Sequence, residues 1–286
     1  MKFNIVTHFI TATAAAGFIG LSGQAAQAGQ FHNGWNYAID SFSDGSGGSS
    51  FEIKGMAIKE TKNNVFVALT GGMPLVGVQH NGAEDKNIGW GDLFFNFSGQ
   101  NFQAASASKS LLGIRFAGTN DSGAAATGVY TGVSAKSVSS INQGYTSLDW
   151  YYDAGFERPN SQGTDLPDAK AVYNYFYPAS VAANPQRSNT PLLNVIKTGT
   201  KVGEVVALTD LSSVDFAHFG AVGTHTIGFK FDRSLFGSGN YIANLFLECG
   251  NDGIALEDVD VPEPVGLVTF AALGLMGSGL LRRKQA

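Results

Sequence analysis

The sequence predicts an all-β fold: a single β-sandwich of jelly-roll type, followed by an apolar C-terminal helix. Three observations predict it. Charged residues make up only 14% of the 286 residues while glycine occurs 37 times and aromatics reach 12%, a mix that suits short strands and many turns. Short apolar runs alternate with polar residues at a period of two, separated by Gly, Asn and Ser clusters. No sustained helical period or long linker interrupts the region between the two termini.

The termini stand apart from that fold. Lys2 is the sole charged residue before Asp40, residues 5–21 are largely apolar, and Ala26-Gln27-Ala28 is a small-x-small cleavage site. Residues 1–28 therefore read as a secretory signal peptide cut after Ala28, with Ala26 and Ala28 as the recognised pair. The β domain is expected over residues 29–260 and a separate C-terminal segment over 261–286. Removing Lys2, Arg282, Arg283 and Lys284 from the 18 basic residues and Glu263 from the 23 acidic ones leaves 14 against 22. A net charge of about −8 with no basic patch argues against a nucleic-acid partner. Cys249 is alone, so an intrachain disulfide framework is excluded and the apolar core must supply the stability.

Along the chain, residues 43–49 (Ser-Asp-Gly-Ser-Gly-Gly-Ser) form a flexible loop. Phe51, Ile53 and Gly55 then alternate with Glu52 and Lys54, and Lys62-Asn63-Asn64 supplies turn residues before Val65-Phe66-Val67-Ala68-Leu69. This predicts a hairpin with one half-buried and one deeply buried arm. A strand over 92–98 places Leu93, Phe95 and Phe97 on one face, and another is expected over 111–117, ahead of a small-residue loop to 126. In the aromatic block 145–177, residues 168–176 read as a short helix or a further strand. Residues 192–196 and 202–208 flank Lys197-Thr198-Gly199-Thr200-Lys201, which predicts a second hairpin. Residues 224–231 alternate as a half-buried strand, with 241–247 as its partner after the turn 237–240.

The last segment is tripartite. Pro262-Glu263-Pro264 is followed by the uncharged residues 265–281 and then Arg282-Arg283-Lys284. Seventeen helical residues span about 25 Å, close to the hydrocarbon layer, and the basic cluster would stay on the cytoplasmic side. The two prolines hold the preceding strip open. This arrangement resembles the PEP-CTERM sorting signal that exosortases process. The resemblance implies export, transient inner-membrane anchoring by a transmembrane sorting helix, and cleavage near Glu263. Delivery to the cell surface or extracellular matrix would follow. Pro262, Glu263, Pro264, Arg282 and Arg283 are the residues it assigns to sorting, and signal peptidase and exosortase are the partners it implies. Residues 34–40, 51–57, 89–97 and 241–252 are similar to exosortase-dependent surface proteins of cyanobacteria, a resemblance that brings no catalytic or binding residues.

Candidate chemistry is sparse. Asp44-Gly45-Ser46-Gly47-Gly48 has the acid and serine in the wrong order for a serine-protease nucleophile, and no His partner pattern points to it. His32, His80, His218 and His225 lack zinc-ligand spacing and read as structural or exposed, so no metal ligands are assigned. Cys249 ends an apolar strand beside Glu248 and Asp252, which disfavours a reactive thiolate. Asp40 and Asp44, Glu84, Asp85 and Asp92, and Glu248, Asp252, Glu257 and Asp258 are clustered acids. They suit weak extracellular calcium as well as a solvated surface. Trp35, Trp90 and Trp150 lie beside glycines or an aspartate. Exposed indoles so placed would stack on sugars, which nominates Trp90 and Asp92 for ligand binding, against buried packing. The expectation is thus an exported, non-enzymatic surface or matrix protein. The alternative is a calcium-assisted module binding exopolysaccharide, and a secreted glycan hydrolase comes third, without nominated residues.

Overall fold

A computed structural model describes residues 30–40, 46, 48–151, 166, 169–182 and 190–258. The signal peptide with Ala26 and Ala28, Asp44 of the Gly/Ser loop, and the tail with Pro262, Glu263, Pro264, Arg282 and Arg283 lie outside the described residues. Among the described residues no helix is long and apolar enough to cross a membrane.

The fold is mostly β, with antiparallel sheets. A four-strand meander opens it: β1 (Gln30–His32), β2 (Trp35–Ile39), β3 (Ile53–Glu60) and β4 (Asn64–Gly71). Asn33 (φ 51°) and Gly34 (φ 78°) make the two-residue turn between β1 and β2, the left-handed pair that Asn-Gly adopts at low cost. Two short strands follow, β5 (Val78–Gln79) and β6 (Asn87–Ile88), paired only with each other. A second meander comprises β7 (Leu93–Asn96), helix α1 (Phe102–Ala107), β8 (Leu111–Arg115), β9 (Gly128–Lys136) and β10 (Val195–Gly203). Helices α2 (Leu148–Tyr151), α3 (Ala169–Phe176) and α4 (Ala179–Ala182) lie between β9 and β10. The chain then adds β11 (Val206–Ala207) and β12 (His225–Asp232) to the first sheet, and β13 (Ile242–Phe246) and β14 (Gly253–Glu257) to the second.

The strand orders are β1-β2-β3-β4-β12-β11 and β10-β9-β8-β7-β13-β14. Strands β1 to β4 and β7 to β10 each run as neighbours within one sheet, and the chain changes sheet only between these two groups, from β10 to β11, and from β12 to β13. The jelly-roll expectation, in which the chain crosses between sheets strand by strand, is therefore corrected. One apolar interior takes Met56, Ile58, Val67, Leu69 and Phe231 from the first sheet. From the second it takes Leu93, Phe95, Ile114, Leu245 and Leu256. Both sheets are also covered on their outer faces. Phe94, Tyr130, Val133 and Phe246 lie under α1 and α3, while Trp35, Tyr37, Ala57 and Ala68 lie under Phe216 and Ala221. Central strands buried on both faces lose alternation, which explains the continuous run Val65-Phe66-Val67-Ala68-Leu69. It also explains why the first arm of the 51–70 hairpin is more buried than its alternation implied.

The hairpin over β3 and β4 and the strands around 93 and 111 form as the sequence indicated, and of residues 168–176, which read as helix or strand, Ala169–Phe176 are helical as α3. The second hairpin does not. Residues 197–201 lie inside β10, which runs along β9 as an edge strand with most side chains exposed. Thr198 and Thr200 are β-branched, and Gly199 is a point of close approach: an added Cβ would sit 2.9 Å from Val133. The predicted pairing of 224–231 with 241–247 is likewise corrected, since β12 pairs with β4 and β13 pairs with β7 and β14. Between them Asp232 caps a 3-10 turn, and Phe236 inserts against Phe95 (4.8 Å between centroids) and Phe97 (5.0 Å). That anchor sends the chain across to the other sheet.

Candidate functional site

A cleft of about 460 Å³ opens on the helix-covered face of the second sheet, within the range of small-ligand sites. Its floor follows from register. Ile242 of β13 lies opposite Asn96 of β7 on one side and Glu257 of β14 on the other, so three side chains stand abreast on one face. The near wall is the β7–α1 turn. Asn96 Oδ1 accepts from Ser98 N–H (3.1 Å) and Ser98 Oγ–H (2.6 Å), and its amide donates to the Gln100 carbonyl (2.8 Å). Asn101 then caps α1 by accepting from Ala104 N–H at 2.9 Å. The far wall is α3, whose Tyr175 hydroxyl donates to buried Asn244 at 2.9 Å. That bond holds the helix across the sheet while Asn174 stays exposed beside it.

Much of the lining is apolar, and its polar side chains are mostly carboxamides: Asn96, Gln100, Asn101, Asn174 and Asn240, with Tyr175, Tyr241 and the carboxylate of Glu257. Asn96 and Asn101 are committed to the turn and the cap, whereas Gln100, Asn174, Asn240 and Glu257 are exposed. Carboxamides offer paired donors and acceptors, and the lining holds no cation for a phosphate or sulfate. The arrangement suits a neutral polyhydroxylated ligand. Burial holds both tyrosine hydroxyls above their ordinary pKa, so each remains a neutral donor.

The residues nominated from sequence sit elsewhere and are structural. Trp90 is fully buried, with its indole N–H donating to the Pro74 carbonyl at 3.2 Å, so it has no face for a sugar. Asp92 is equally buried. Its carboxylate accepts from Asn120 Nδ2 (2.9 Å), Ser122 Oγ (2.6 Å) and Ile196 N–H (2.7 Å). These bonds tie the 118–126 loop and the start of β10 to β7. The sequence reading of both as ligand-binding is corrected: the glycines beside Trp90 allow backbone to pass closely and leave no open groove. A Cβ on Gly91 would strike the carbonyls of Asn194 and Phe246. Trp35 is also buried, and Trp150 is 45% exposed beside the aromatic block.

The other acids behave similarly. Glu248 accepts from Gly89 N–H (2.7 Å) and Asp121 N–H, and Asp252 accepts from Ile53 N–H (2.6 Å). Burial pushes the Glu248 carboxyl up to about 8, outweighing the two N–H groups that favour its charged form. Cys249, 1% exposed, is pushed up to about 12 mainly by burial, with the neighbouring Asp252 and Glu248 charges adding to it. Glu84 and Asp85 stay on an exposed loop, Asp40 is buried at the end of β2, and Glu257 lines the cleft.

Among the described residues, the His, Asp, Glu and Cys side chains whose ligand atoms converge as a group of three are His32, Asp215 and His218. Sequence spacing missed this set because His32 and Asp215 are 183 residues apart. It also missed the cleft, whose asparagines come from four separate elements. Comparison with protein-family models, with curated proteins and with solved structures returns no match to this chain.

Proposed function

We propose that the chain is an exported, non-enzymatic cell-surface or matrix protein, built as a single β-sandwich and processed by an exosortase at its C-terminal signal. The observation that carries this reading is the tripartite tail: Pro262-Glu263-Pro264, an uncharged segment and Arg282-Arg283, paired with the Ala26/Ala28 cleavage site at the other end. The buried acids support it. Asp92, Glu248 and Asp252 spend their oxygens on backbone and loop donors, which is a use in holding loops together. Deleting residues 262–286 should leave the protein unprocessed in cells that hold the exosortase. Normal maturation of the truncated chain would defeat the sorting half of the proposal.

A second reading is favoured by the cleft: the domain holds exopolysaccharide through its exposed carboxamides. Calcium-assisted binding would use Glu257 as the carboxylate there among the described residues, since Asp92 is spent on structure. Co-sedimentation of the protein with exopolysaccharide, with calcium and with chelator, tests it. Asn174→Ala with Asn240→Ala should lose retention while keeping the fold. Unchanged retention by that double variant would remove the cleft as the binding place.

A further inference from the structure

We propose that His32, Asp215 and His218 form a site for one borderline transition-metal dication, Zn²⁺ or a close equivalent, that ties the segment 215–221 to edge strand β1. The proposal is independent of the polysaccharide reading.

Three donors meet from two distant stretches of chain. His32 Nε2 lies 3.1 Å from Asp215 Oδ2, and the His32 and His218 rings stack with centroids 3.9 Å apart and planes 6° from parallel. Each of the three offers a ligand atom within 4.8 Å of the others. Two metal–ligand bonds of about 2.0–2.1 Å span 3.1 Å at an angle near 95°, so His32 and Asp215 already stand at chelating separation. An imidazole binds a metal in its own ring plane, so His218, the exposed member, joins them by rotating its ring out of the stack with His32.

Two of the donors, and the backbone of the third, are held in place before any ion arrives. The Asn33-Gly34 turn and the pairing of His32 with Trp35 fix the first imidazole at the end of β1. Asp215 is anchored through its backbone N–H, which donates to the Tyr37 hydroxyl at 2.9 Å, and its Oδ1 accepts from His218 N–H at 3.0 Å. That leaves Oδ2 aimed at His32. Gly220 (φ 67°) closes the 3-10 turn that carries His218, and Phe219 meets both imidazoles edge-on at 5.9 and 4.8 Å. Outer partners that orient ligands in this way are what a metal site requires.

Two nitrogens and one carboxylate oxygen suit zinc, copper or nickel, and are a poor set for calcium or magnesium, which take oxygen ligands. The His32 and Asp215 side chains are 25% and 41% exposed, so water can complete the coordination and the ion can enter from solvent. Three protein ligands with an open fourth position is also an arrangement of exchangeable zinc sites.

The test uses the tag-free full chain in detergent. Zn²⁺ is titrated by calorimetry, with Co²⁺ absorption as a second reading of coordination, and melting is followed with and without the ion. The expected result is one Zn²⁺ per chain and a melting midpoint raised by about 5 °C in excess zinc. Affinity should fall at least tenfold in His218→Ala and in Asp215→Asn, and stay unchanged in His225→Ala, whose exposed imidazole lies outside the set. Should Asp215→Asn melt early without zinc, His218→Ala decides, because that side chain is exposed. The inference is overturned by no saturable zinc binding, by equal binding in wild type and His218→Ala, or by saturable Ca²⁺ binding in place of Zn²⁺.

Discussion

Replacing Asp92 with alanine removes a carboxylate that three donors from separate elements share. If Asp92 served a ligand, the variant would fold normally and lose binding; the structure requires the reverse. Ile196 N–H is buried and would keep no equivalent acceptor, Asn120 Nδ2 would keep only the Trp90 carbonyl at 3.2 Å, and partly exposed Ser122 can turn to water. An unsatisfied buried donor costs about 1–3 kcal/mol, so one orphan and two weakened donors come to about 2–4 kcal/mol. Burial raises the Asp92 carboxyl above its usual range against its hydrogen bonds and the nearby Arg115 guanidinium, so the lost hydrogen bonds and not the lost charge set this cost. Against a typical stability of about 5–15 kcal/mol the loss is large. Urea unfolding of residues 29–261 at pH 7, read by fluorescence and far-UV circular dichroism, measures it. The predicted result is a lower midpoint at unchanged slope, with Asp92→Asn intermediate because one oxygen survives. A midpoint within error of wild type would show that the carboxylate is not what joins the 118–126 loop to β10.

Further outcomes follow from the same geometry. Burial pushes the folded Glu248 carboxyl from the ordinary 4.5 up to about 8, so the folded state binds the extra proton between those values. Its contribution is complete below about pH 4.5 and is lost as pH rises through 8, by roughly 5 kcal/mol at most. Glu248→Gln should flatten that slope in unfolding series at pH 5, 7 and 9; an unchanged slope would assign it to other groups. The Cys249 thiol, buried and pushed up to about 12, should resist Ellman's reagent at pH 8 until denaturant is added. Fast labelling of the native protein would contradict that burial. Gly144→Ala places a Cβ against the Cys249 backbone carbonyl, which cannot step aside, and should cost roughly 3 kcal/mol or more in the same urea assay.

How legible the molecule was in its sequence depends on whether a signal was local. The β3–β4 hairpin has alternation, a turn cluster and an apolar return strand within twenty residues, and it forms as read. The Gly in 197–201 was legible as a turn residue but serves close packing on β9, which depends on a neighbouring strand. The alternation of β12 located a strand without naming its partner, and Phe236 decided the crossing through contacts with Phe95 and Phe97. Trp90 beside two glycines reads as an exposed indole or a packed one, and only the carbonyls of Asn194 and Phe246 near Gly91 tell them apart. The Asn33-Gly34 turn was a local signal that places His32, yet nothing in the spacing placed Asp215 and His218 beside it. The cleft was illegible for the same reason, since register across β7, β13 and β14 assembled it.

The proposed delivery is of an exported chain trimmed at both ends. The intact mass of the protein recovered from the surface and matrix fraction of the source cells tests this most directly. A mass matching a chain that begins at Gly29 and ends near Glu263 is the predicted result. A full-length mass from Met1 to Ala286 recovered in the cytoplasmic fraction would contradict it.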